Sequence, residues 1–391
     1  MSRIYYQLIM RPQSPLRIGG GNAETTDNDV LLDGRNYPFI PGSAIAGILR
    51  DLFEEADKER IFGFVKTDDG SSENSKMIVS DATFDQDVCE DNFKISVRDG
   101  VGLDEWGMAI KKAKYDFQIV ETQKPFTGII ECDFESTEDE EKVEIRKKGF
   151  LLNAQDIEDW LDFDPFCKDA FASAEKLTCE ENDNAPSKTE ICIWFAVKGS
   201  LLVRVKEASE KPLADGTNPD IVTLKNAKGK PVISGTSWAG AFRHHMHEIC
   251  CEAGDTQQRS IDLLFGKNDG GEHAKSILYF TESEITGGSA MTSMRNAVDR
   301  FTGAPTNTAL YTTQVWNGGE GILTISYDHE KLTRTQKQIL AASIIDLDLG
   351  IMSIGGEASV GRGIVSIKSL RINGVESIDK VKNYDVNMLE E

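Results

Sequence analysis

Apolar and polar positions alternate in two stretches of the chain, one at its start and one near its middle. Residues 4–11 and 191–205 show this alternation and are rich in β-branched side chains, which predicts a strand in each stretch. A helical period follows the first strand. Its apolar positions, spaced i, i+3, i+4, i+7 and i+8, are Ile45, Ile48, Leu49, Leu52 and Phe53. Strands and helices mixed in this way predict an α+β fold.

The two halves of the chain repeat one another. Residues 25–50 align with residues 218–243 without a gap, at a constant shift of 193 positions. Four further blocks keep their order in both halves, namely Phe62-Gly63 with Phe265-Gly266, 75–84 with 275–284, 96–101 with 293–298, and 128–130 with 321–323. Five blocks in the same order indicate a tandem duplication.

The repeat also indicates where the chain divides. Residues 136–190 interrupt it with an acidic run, a basic run and a linker-like stretch. We therefore predict a first domain at 1–135, an acidic insertion or linker at 136–190, and a second domain at 191–391. A glycine-rich stretch at 354–367 enters the last predicted strand of the second half, and the first half shows no counterpart of it.

Charge is unevenly distributed along the chain, whose formal net charge is −22. Nucleic-acid binders are usually basic, because neutralising phosphates drives much of their affinity. The segment 221–246 nevertheless contains no Asp or Glu, and its basic residues include Lys225, Lys228, Lys230 and Arg243. This segregation permits one basic surface on an acidic body, and the alternative is chance clustering on a solvated face.

The cysteine pattern and the hydropathy limit the class of protein. Seven cysteines without a Cys-x-x-Cys pair argue against a disulfide framework and a zinc ribbon, and they favour a reducing cytoplasm. No run approaches the roughly 20 apolar residues that span a bilayer. The N-terminal residues lack the apolar block of a signal peptide. We therefore expect a cytoplasmic protein with no membrane partner.

A glycine stands at the start of the predicted helix in each half. Gly42 and Gly235 occupy matching positions, and the residues after them, Ser43 and Thr236, are predicted to cap the two helices. The free N–H groups at a helix N-terminus form a place where phosphate binds. Alternatively, the glycine serves only the turn, and the sequence leaves both interpretations open.

Taken together, these blocks resemble the RAMP superfamily of CRISPR-associated proteins, and more specifically the backbone subunits of type III effector complexes. The resemblance rests on 16–21, 38–50, the Phe-Gly pairs, the Ser-x-Arg blocks and 355–363. It implies two tandem ferredoxin-like domains of the RNA-recognition type, with inserted elements and a glycine-rich loop near the C-terminus. The implied partners are CRISPR guide RNA, target RNA and other type III effector subunits.

The same resemblance implies a catalytic aspartate in the loop that precedes each glycine–helix block. The matching residues are Asp27 and Asp220, each 15 positions before the helix glycine, and the implied cofactor is Mg²⁺ or Mn²⁺. A loop carboxylate can hold a metal ion or orient the attacking 2′-hydroxyl, although a turn or cap role is the alternative. The competing candidates are Asp29 and Asp33 in the first half and Asp215 in the second.

Further residues are candidates for contact with RNA because they match the glycine–helix block, the inserted thumb element, the acid-free segment or the glycine-rich loop. Structural alternatives stay open for them: the arginines could pair with nearby acids, and the glycine-rich loop could be only a tight turn. The predicted RNA-binding residues are Gly42, Ser43, Arg50, Arg98, Lys225, Lys228, Gly235, Thr236, Arg243, Arg295, Gly355, Gly356, Gly361 and Arg362.

The favoured function is a guide-RNA-binding subunit that cleaves target RNA with a divalent metal ion. One alternative is a scaffold that binds guide RNA without cutting. Another is a metal-independent endoribonuclease that matures guide RNA with His244, His245 and His247, although packing or solvent exposure would also explain these histidines. A third is a RAMP-derived module that works outside CRISPR.

Overall fold

The computed structural model divides the chain into two compact units. The first comprises residues 1–97 and 116–186, and the second comprises 98–115 and 187–391. No helix within the described ranges is long and apolar enough to cross a membrane. The structure describes residues 2–12, 14–19, 26–51, 53, 55–65, 72–85, 88–103, 109–134, 188–205, 219–252, 258–269, 272–298 and 305–390.

Seven strands and two helices are described in the first half of the chain. The helices are α1 (Gly42–Asp51) and α2 (Glu55–Phe62). The strands are β1 (Ser2–Met10), β2 (Phe64–Val65), β3 (Ser72–Glu73), β4 (Met77–Val79), β5 (Phe93–Leu103), β6 (Ala109–Thr122) and β7 (Phe126–Phe134).

An antiparallel sheet of three strands, in the order β1–β7–β4, forms the framework of the first unit. Leu8 and Phe126 on this sheet are buried against Ile45 and Leu49 of α1, as the helical period predicts. Ile48, which belongs to the same predicted stripe, is instead 55% exposed. The apolar stripe of α1 is therefore narrower than the sequence predicts.

The second half contains fourteen described strands and four helices. The helices are α3 (Gly235–Glu252), α4 (Gln258–Phe265), α5 (Arg334–Leu349) and α6 (Ile378–Lys382). The strands are β8 (Lys188–Lys198), β9 (Ser200–Leu201), β10 (Arg204–Val205), β11 (Ile221–Thr223), β12 (Val232–Ile233), β13 (Lys267–Asp269), β14 (Glu272–Ala274), β15 (Tyr279–Phe280), β16 (Ser283–Glu284), β17 (Ser289–Val298), β18 (Pro305–Asn317), β19 (Glu320–Asp328), β20 (Ile364–Ile372) and β21 (Val375–Glu376).

The central sheet of the second unit has the strand order β15–β19–β8–β20–β21. Every second residue of β8 is buried, and Ile191, Ile193 and Phe195 enter a core shared with α3 and α5. Read in chain order, β8–α3–β15–β19–α5–β20 is the βαββαβ arrangement of a ferredoxin-like domain. The predicted fold class is thus confirmed, with one complete ferredoxin-like sheet in this unit.

A second sheet carries the inserted elements of the second unit. Its strands run β10–β11–β18–β17, with β9 also paired to β18, and β11 lies parallel to β18. In the first half, β5 and β6 pair in the same way as β17 and β18. The outer part of the β5–β6 hairpin, residues 98–115, belongs to the second unit. The predicted boundaries at 135 and 190 stay predictions, because residues 135–187 lie outside the described ranges.

Candidate nucleic-acid interface

Asp27 lies exposed in the loop that precedes α1 and is fixed by a reciprocal contact with strand β6. Its backbone N–H donates to Oδ1 of Asp116 over 2.8 Å, and the backbone N–H of Asp116 donates to Oδ2 of Asp27 over 2.9 Å. One carboxylate oxygen of Asp27 is therefore held against the strand, and the orientation of the whole carboxylate is set.

Asp220 of the second half is held in the same way. Its N–H donates to the carbonyl of Thr312 over 2.9 Å, and the N–H of Thr312 donates to Oδ2 of Asp220 over 2.7 Å. Thr312 lies in β18, the counterpart of β6. Among the described residues, neither Asp27 nor Asp220 engages its Oδ1 in a hydrogen bond or an ion pair. The repeat thus presents two equivalent carboxylates, each with one anchored and one unengaged oxygen.

The competing aspartates of the first half have other roles. Oδ1 of Asp33 accepts the N–H groups of Arg35 and Tyr37 at 2.8 and 2.9 Å, so this side chain closes a turn. Asn226 closes the matching turn of the second half. Burial alone would raise the pKa of the Asp33 carboxyl. The hydrogen bonds from Tyr37 and Arg35 outweigh burial, so the pKa lies below its ordinary value.

Asp29 accepts two hydrogen bonds from Thr26, at 2.9 Å from its N–H and 2.7 Å from its hydroxyl. Its carboxylate therefore stabilises the loop locally, by binding the residue three positions earlier. Asp215 lies outside the described residues. Of the candidates that can be compared, only Asp27 and Asp220 share one geometry in both halves.

The donors at these loops suit a divalent ion only in part. Within the described ranges, no three His, Cys, Asp or Glu side chains are grouped to hold a metal. Each loop offers one unengaged carboxylate oxygen, a hard donor of the kind that Mg²⁺ and Mn²⁺ prefer. Mg²⁺ commonly keeps several waters and binds one or two carboxylates together with substrate phosphates. The residues therefore fit a metal site that is completed by water and substrate phosphates, and the described side chains do not enclose a metal ion by themselves.

The helix glycines are required by close backbone packing. A Cβ on Gly42 would lie 2.1 Å from the carbonyl oxygen of Val79, and one on Gly235 would lie 2.4 Å from that of Phe280. The N–H of Gly42 is also engaged, since it donates to Oδ1 of Asp81 over 2.8 Å. The geometry therefore favours the structural interpretation of these glycines over a phosphate site at the helix N-terminus.

The predicted cap at Thr236 is wrong, because α3 begins one residue earlier, at Gly235. The hydroxyl of Ser234 accepts the N–H of Ser237 at 3.2 Å and so caps the helix. Ser43 is likewise inside α1, which begins at Gly42. Both residues are exposed, and the hydroxyl of Thr236 lies 2.9 Å from that of Ser234.

An exposed stripe of three residues runs along α1. Ser43, Gly47 and Arg50 are all exposed, and their spacing of four and then three positions puts them on one helix face. No described atom outside the helix lies within 4 Å of the place where a Cβ on Gly47 would be. The stripe recurs on α3, where its exposed members are Thr236, Gly240 and Arg243.

A glycine inside a helix lowers stability by about 1 kcal/mol relative to alanine. No described neighbour lies close enough to Gly47 or Gly240 to make a glycine necessary there. A surface that carries a hydroxyl, a glycine and an arginine lets a sugar–phosphate backbone approach closely. The sequence contained this signal, because both glycines match in the repeat, but only the structure shows that no neighbour in the described ranges explains them.

Two of the predicted arginines, Arg98 and Arg243, have protein partners. Arg98 is only 8% exposed and forms an ion pair with Glu282. Arg243 donates to Oδ1 of Asp262 from Nε at 3.1 Å and from Nη2 at 2.6 Å, yet its side chain stays 49% exposed. Contact with RNA through Arg98 would require breaking a buried pair. The side chain of Arg295 lies outside the described parts of β17.

The segment 221–246 contains no acidic residue, but in the structure an acidic residue from another segment contacts it. Lys230 forms an ion pair with Glu284, and Lys225 lies over the ring of Trp316, with its Nζ 5.9 Å from the centroid. Lys228 is exposed at the tip of the turn. Acids from other blocks thus neutralise part of the basic surface that the sequence predicts, and the predicted RNA contacts of these lysines stay predictions.

The glycine-rich loop between α5 and β20 is ordered by an ion pair. Arg362 is 4% exposed, and its Nε lies 3.1 Å from Oε2 of Glu357. A Cβ on Gly355 would lie 2.4 Å from the carbonyl oxygen of Leu202, so this glycine is needed for packing. Gly361 has a φ of +78° and open space around it. Of the predicted contacts in this loop, Gly361 has the most accessible position, whereas Arg362 and Gly355 have structural roles.

A model of the RAMP superfamily matches residues 10–163 and 194–366 of the chain. The chain belongs to the RAMP superfamily. Each matched region covers most of one half, which agrees with the tandem repeat. Membership implies a CRISPR-associated RNA-binding subunit. No curated protein matches the chain.

Of the three predicted histidines in the second RAMP domain, His244 and His245 both contact Glu248, at 3.5 and 3.3 Å, whereas His247 contacts a different carboxylate. His245 is buried, with Nε2 2.7 Å from Oδ2 of Asp346 in α5 and Nδ1 3.3 Å from Oε2 of Glu248. His247 instead lies 3.1 Å from Asp262. These contacts tie α3 to α5 and α4, which is a packing role. They give the guide-maturing alternative no supporting geometry.

Sequence reasoning missed the anchors of the two RAMP carboxylates. Asp116 and Thr312 lie in the second strands of matching hairpins, but they fall in no repeat block and differ in residue type. Met294, which pairs with Thr312 across the β17–β18 ladder, is 57% exposed. Its counterpart in the Ser-x-Arg block, Val97, is 52% exposed, so each hairpin shows an apolar residue at the same place.

Proposed function

We propose that the chain is a guide-RNA-binding backbone subunit of a type III CRISPR effector complex and that it cleaves target RNA with Asp27 and Asp220. The observation that supports cleavage is that a strand N–H, from β6 or β18, holds Oδ2 of each of these two exposed carboxylates. The exposed hydroxyl–glycine–arginine stripes of α1 and α3 support guide binding, because each offers a close approach for a phosphate backbone.

The proposed reaction is attack of a target 2′-hydroxyl on the adjacent phosphate, which forms a 2′,3′-cyclic phosphate and breaks the bond to the 5′-oxygen of the next nucleotide, which takes up a proton from water. The unengaged Oδ1 of each aspartate accepts the proton of the 2′-hydroxyl or orients that group, while the strand N–H holds Oδ2 in place. A bound Mg²⁺ or Mn²⁺ would supply charge stabilisation at the phosphate oxygens. The anchored carboxylate needs little reorientation during the reaction, which is the benefit of a preorganised group.

Cleavage of labelled target RNA by the assembled complex, resolved at single nucleotides, tests the proposal. Asp27→Ala and Asp220→Ala should each remove one product band by at least about 100-fold, the usual contribution of a positioned base. The double variant should remove both bands. Binding of target should survive in all three, because a carboxylate makes no favourable contact with phosphate.

Asp33→Asn is the matched control, because Asn226 already fills this turn position in the second half. This variant should cleave like the unmodified chain. Retention of every band in the Asp27 and Asp220 variants would make the chain a non-catalytic scaffold. Cutting of precursor RNA in the presence of a chelator would instead support a guide-maturing enzyme.

A further inference from the structure

The central sheet of the second unit has one face buried on helices and one face open. On β8, Ile193 and Phe195 enter the core, so the intervening Trp194 projects from the opposite face. Its cross-strand neighbours are Ile322 of β19 and Ser369 of β20. Ile322 is 46% exposed, which shows that no described residue covers this part of the sheet.

A hollow of about 550 Å³ lies on this open face. Its volume is within the range of small-ligand sites, roughly 300–1,000 Å³. The hollow combines two aromatic residues with cationic, hydroxyl and carboxylate groups. Its lining residues are Trp194, Phe195, Glu320, Gly321, Lys368, Ser369 and Arg371.

An irregularity in β20 shapes the hollow. The register of β20 against β8 shifts between Ile367 and Ser369, and Lys368 is the extra residue. Bulges of this kind redirect side chains and are common beside functional sites. Lys368 is exposed and forms no ion pair with any residue in the described ranges. The hollow is therefore lined both by the indole of Trp194 and by a lysine that has no ion-pair partner in the described ranges.

The other cation of the hollow, Arg371, is already engaged by residues of the chain. The guanidinium of Arg371 lies 5.2 Å from the ring centroid of Trp194, and its Nε lies 3.3 Å from Oε2 of Glu376. This pair holds Arg371 over the indole ring, on one side of the hollow. The remaining carboxylate, Glu320, is exposed and has no cationic partner among the described residues.

We infer that this hollow binds a single unpaired nucleotide, with a preference for guanine. An indole on an open sheet is a platform on which a base stacks. The ammonium group of Lys368 complements the phosphate, and the carboxylate of Glu320 accepts N–H groups from the base edge. Guanine alone among the four bases presents an imino N–H and an amino group side by side, which suits a bidentate carboxylate. A protein partner fits less well, because the charged residues Lys368, Glu320 and Arg371 line the hollow beside Trp194.

The hollow includes neither Asp27 nor Asp220, so nucleotide binding there can be tested independently of the proposed cleavage. Titrating the full chain with GMP, AMP, CMP and UMP, by calorimetry and indole fluorescence, tests it. GMP should bind saturably and about tenfold more tightly than UMP, the value of one charge-assisted hydrogen bond. Trp194→Leu should abolish the GMP-dependent change in fluorescence.

Two exposed substitutions test the polar contacts without disturbing the core. Lys368→Gln should weaken GMP binding by roughly tenfold, whereas the matched exposed change Lys331→Gln should not. Glu320→Gln should remove the preference for GMP over AMP. Target cleavage should stay unchanged in all of these variants. Absence of saturable GMP binding, or equal binding of the four nucleotides, overturns the assignment. Protection of Trp194 from acrylamide quenching by effector subunits alone would show a subunit contact in its place.

Discussion

At the residue scale, substitution by alanine distinguishes the helix glycines that are enclosed by backbone atoms from those that face open space. Gly42→Ala and Gly235→Ala place a methyl group at 2.1 and 2.4 Å from backbone carbonyl oxygens, which cannot move independently of their strand. We expect each to lower stability by roughly 1–3 kcal/mol, the usual cost of overpacking. Denaturant unfolding of the purified chain measures this decrease.

Gly47→Ala and Gly240→Ala are the matched controls on the same helices. The added methyl meets open space, so stability should be kept or raised by about 0.5–1 kcal/mol. Guide RNA should nevertheless bind more weakly, because the methyl stands where the backbone of the RNA approaches. Unchanged guide affinity in both variants would remove α1 and α3 from the RNA interface.

At this scale the sequence identified positions but not their contacts. It placed Asp27 and Asp220 at one offset, yet it could not separate Asp27 from Asp29 and Asp33. The distinction depends on hydrogen bonds to residues about 90 positions away, such as Asp116, which no local pattern encodes. In the same way, Gly42 and Gly47 are both repeated glycines, and only the surrounding atoms show that one is enclosed and the other is open.

The link between α3 and α4 predicts how one pair of elements responds to acid. Burial alone would raise the pKa of the Asp262 carboxyl, but hydrogen bonds from Arg243 and His247 outweigh it and hold the pKa below its ordinary value of 3.8. A lowered folded-state pKa means that this stabilisation is fully present above about pH 3.8 and is lost as the pH falls through the folded value.

Asp262→Asn should therefore destabilise the chain at pH 7 but make progressively less difference below about pH 3.8. Urea midpoints of the unmodified chain and the variant, measured between pH 7 and pH 3, give the comparison. A difference that stays constant over this range would show that the ionised carboxylate does not stabilise the α3–α4 contact.

Elements with a clear period were predictable, and those defined by distant pairing were not. The apolar stripe of α1 and the alternation of β8 reflect local burial, so both appear in the sequence. The cap of α3 was assigned to the wrong residue, because the packing of Gly235 against Phe280 lets the helix begin before the predicted cap. The parallel pairing of β11 with β18 has no local signature at all.

On the scale of the whole molecule, a net charge of −22 must coexist with binding to a polyanion. Lys228 is exposed at a turn within the acid-free segment, and Lys228→Glu should weaken guide binding. The slope of log affinity against log salt should become shallower by about 0.7 for each phosphate of single-stranded RNA that the variant no longer neutralises.

Lys331→Glu makes the same change of charge at a residue that is paired with Asp328 outside this segment. It should alter guide affinity and salt slope much less than Lys228→Glu. Both variants change the net charge by the same amount, but only Lys228→Glu removes a proposed contact with RNA. Equal effects of the two variants would mean that only net charge matters and that the segment does not face RNA.

The duplication was readable at this scale, because five ordered blocks are a global pattern. The division into units was not, since residues 98–115 of the first half belong to the second unit. Arg98 illustrates the reason: its partner, Glu282, lies 184 positions away, and its residue type alone suggests contact with RNA as readily as an ion pair.

The long separation between each aspartate and its anchor has a consequence for the order of events during synthesis. Asp27 waits for a residue 89 positions downstream, and Asp220 waits for one 92 positions downstream. A ribosome adds roughly 5–20 residues each second, so each carboxylate stays unoriented for several seconds after it is made. The loop of Asp27 is thereby completed before that of Asp220, so the two carboxylates become oriented in the order in which they are synthesised.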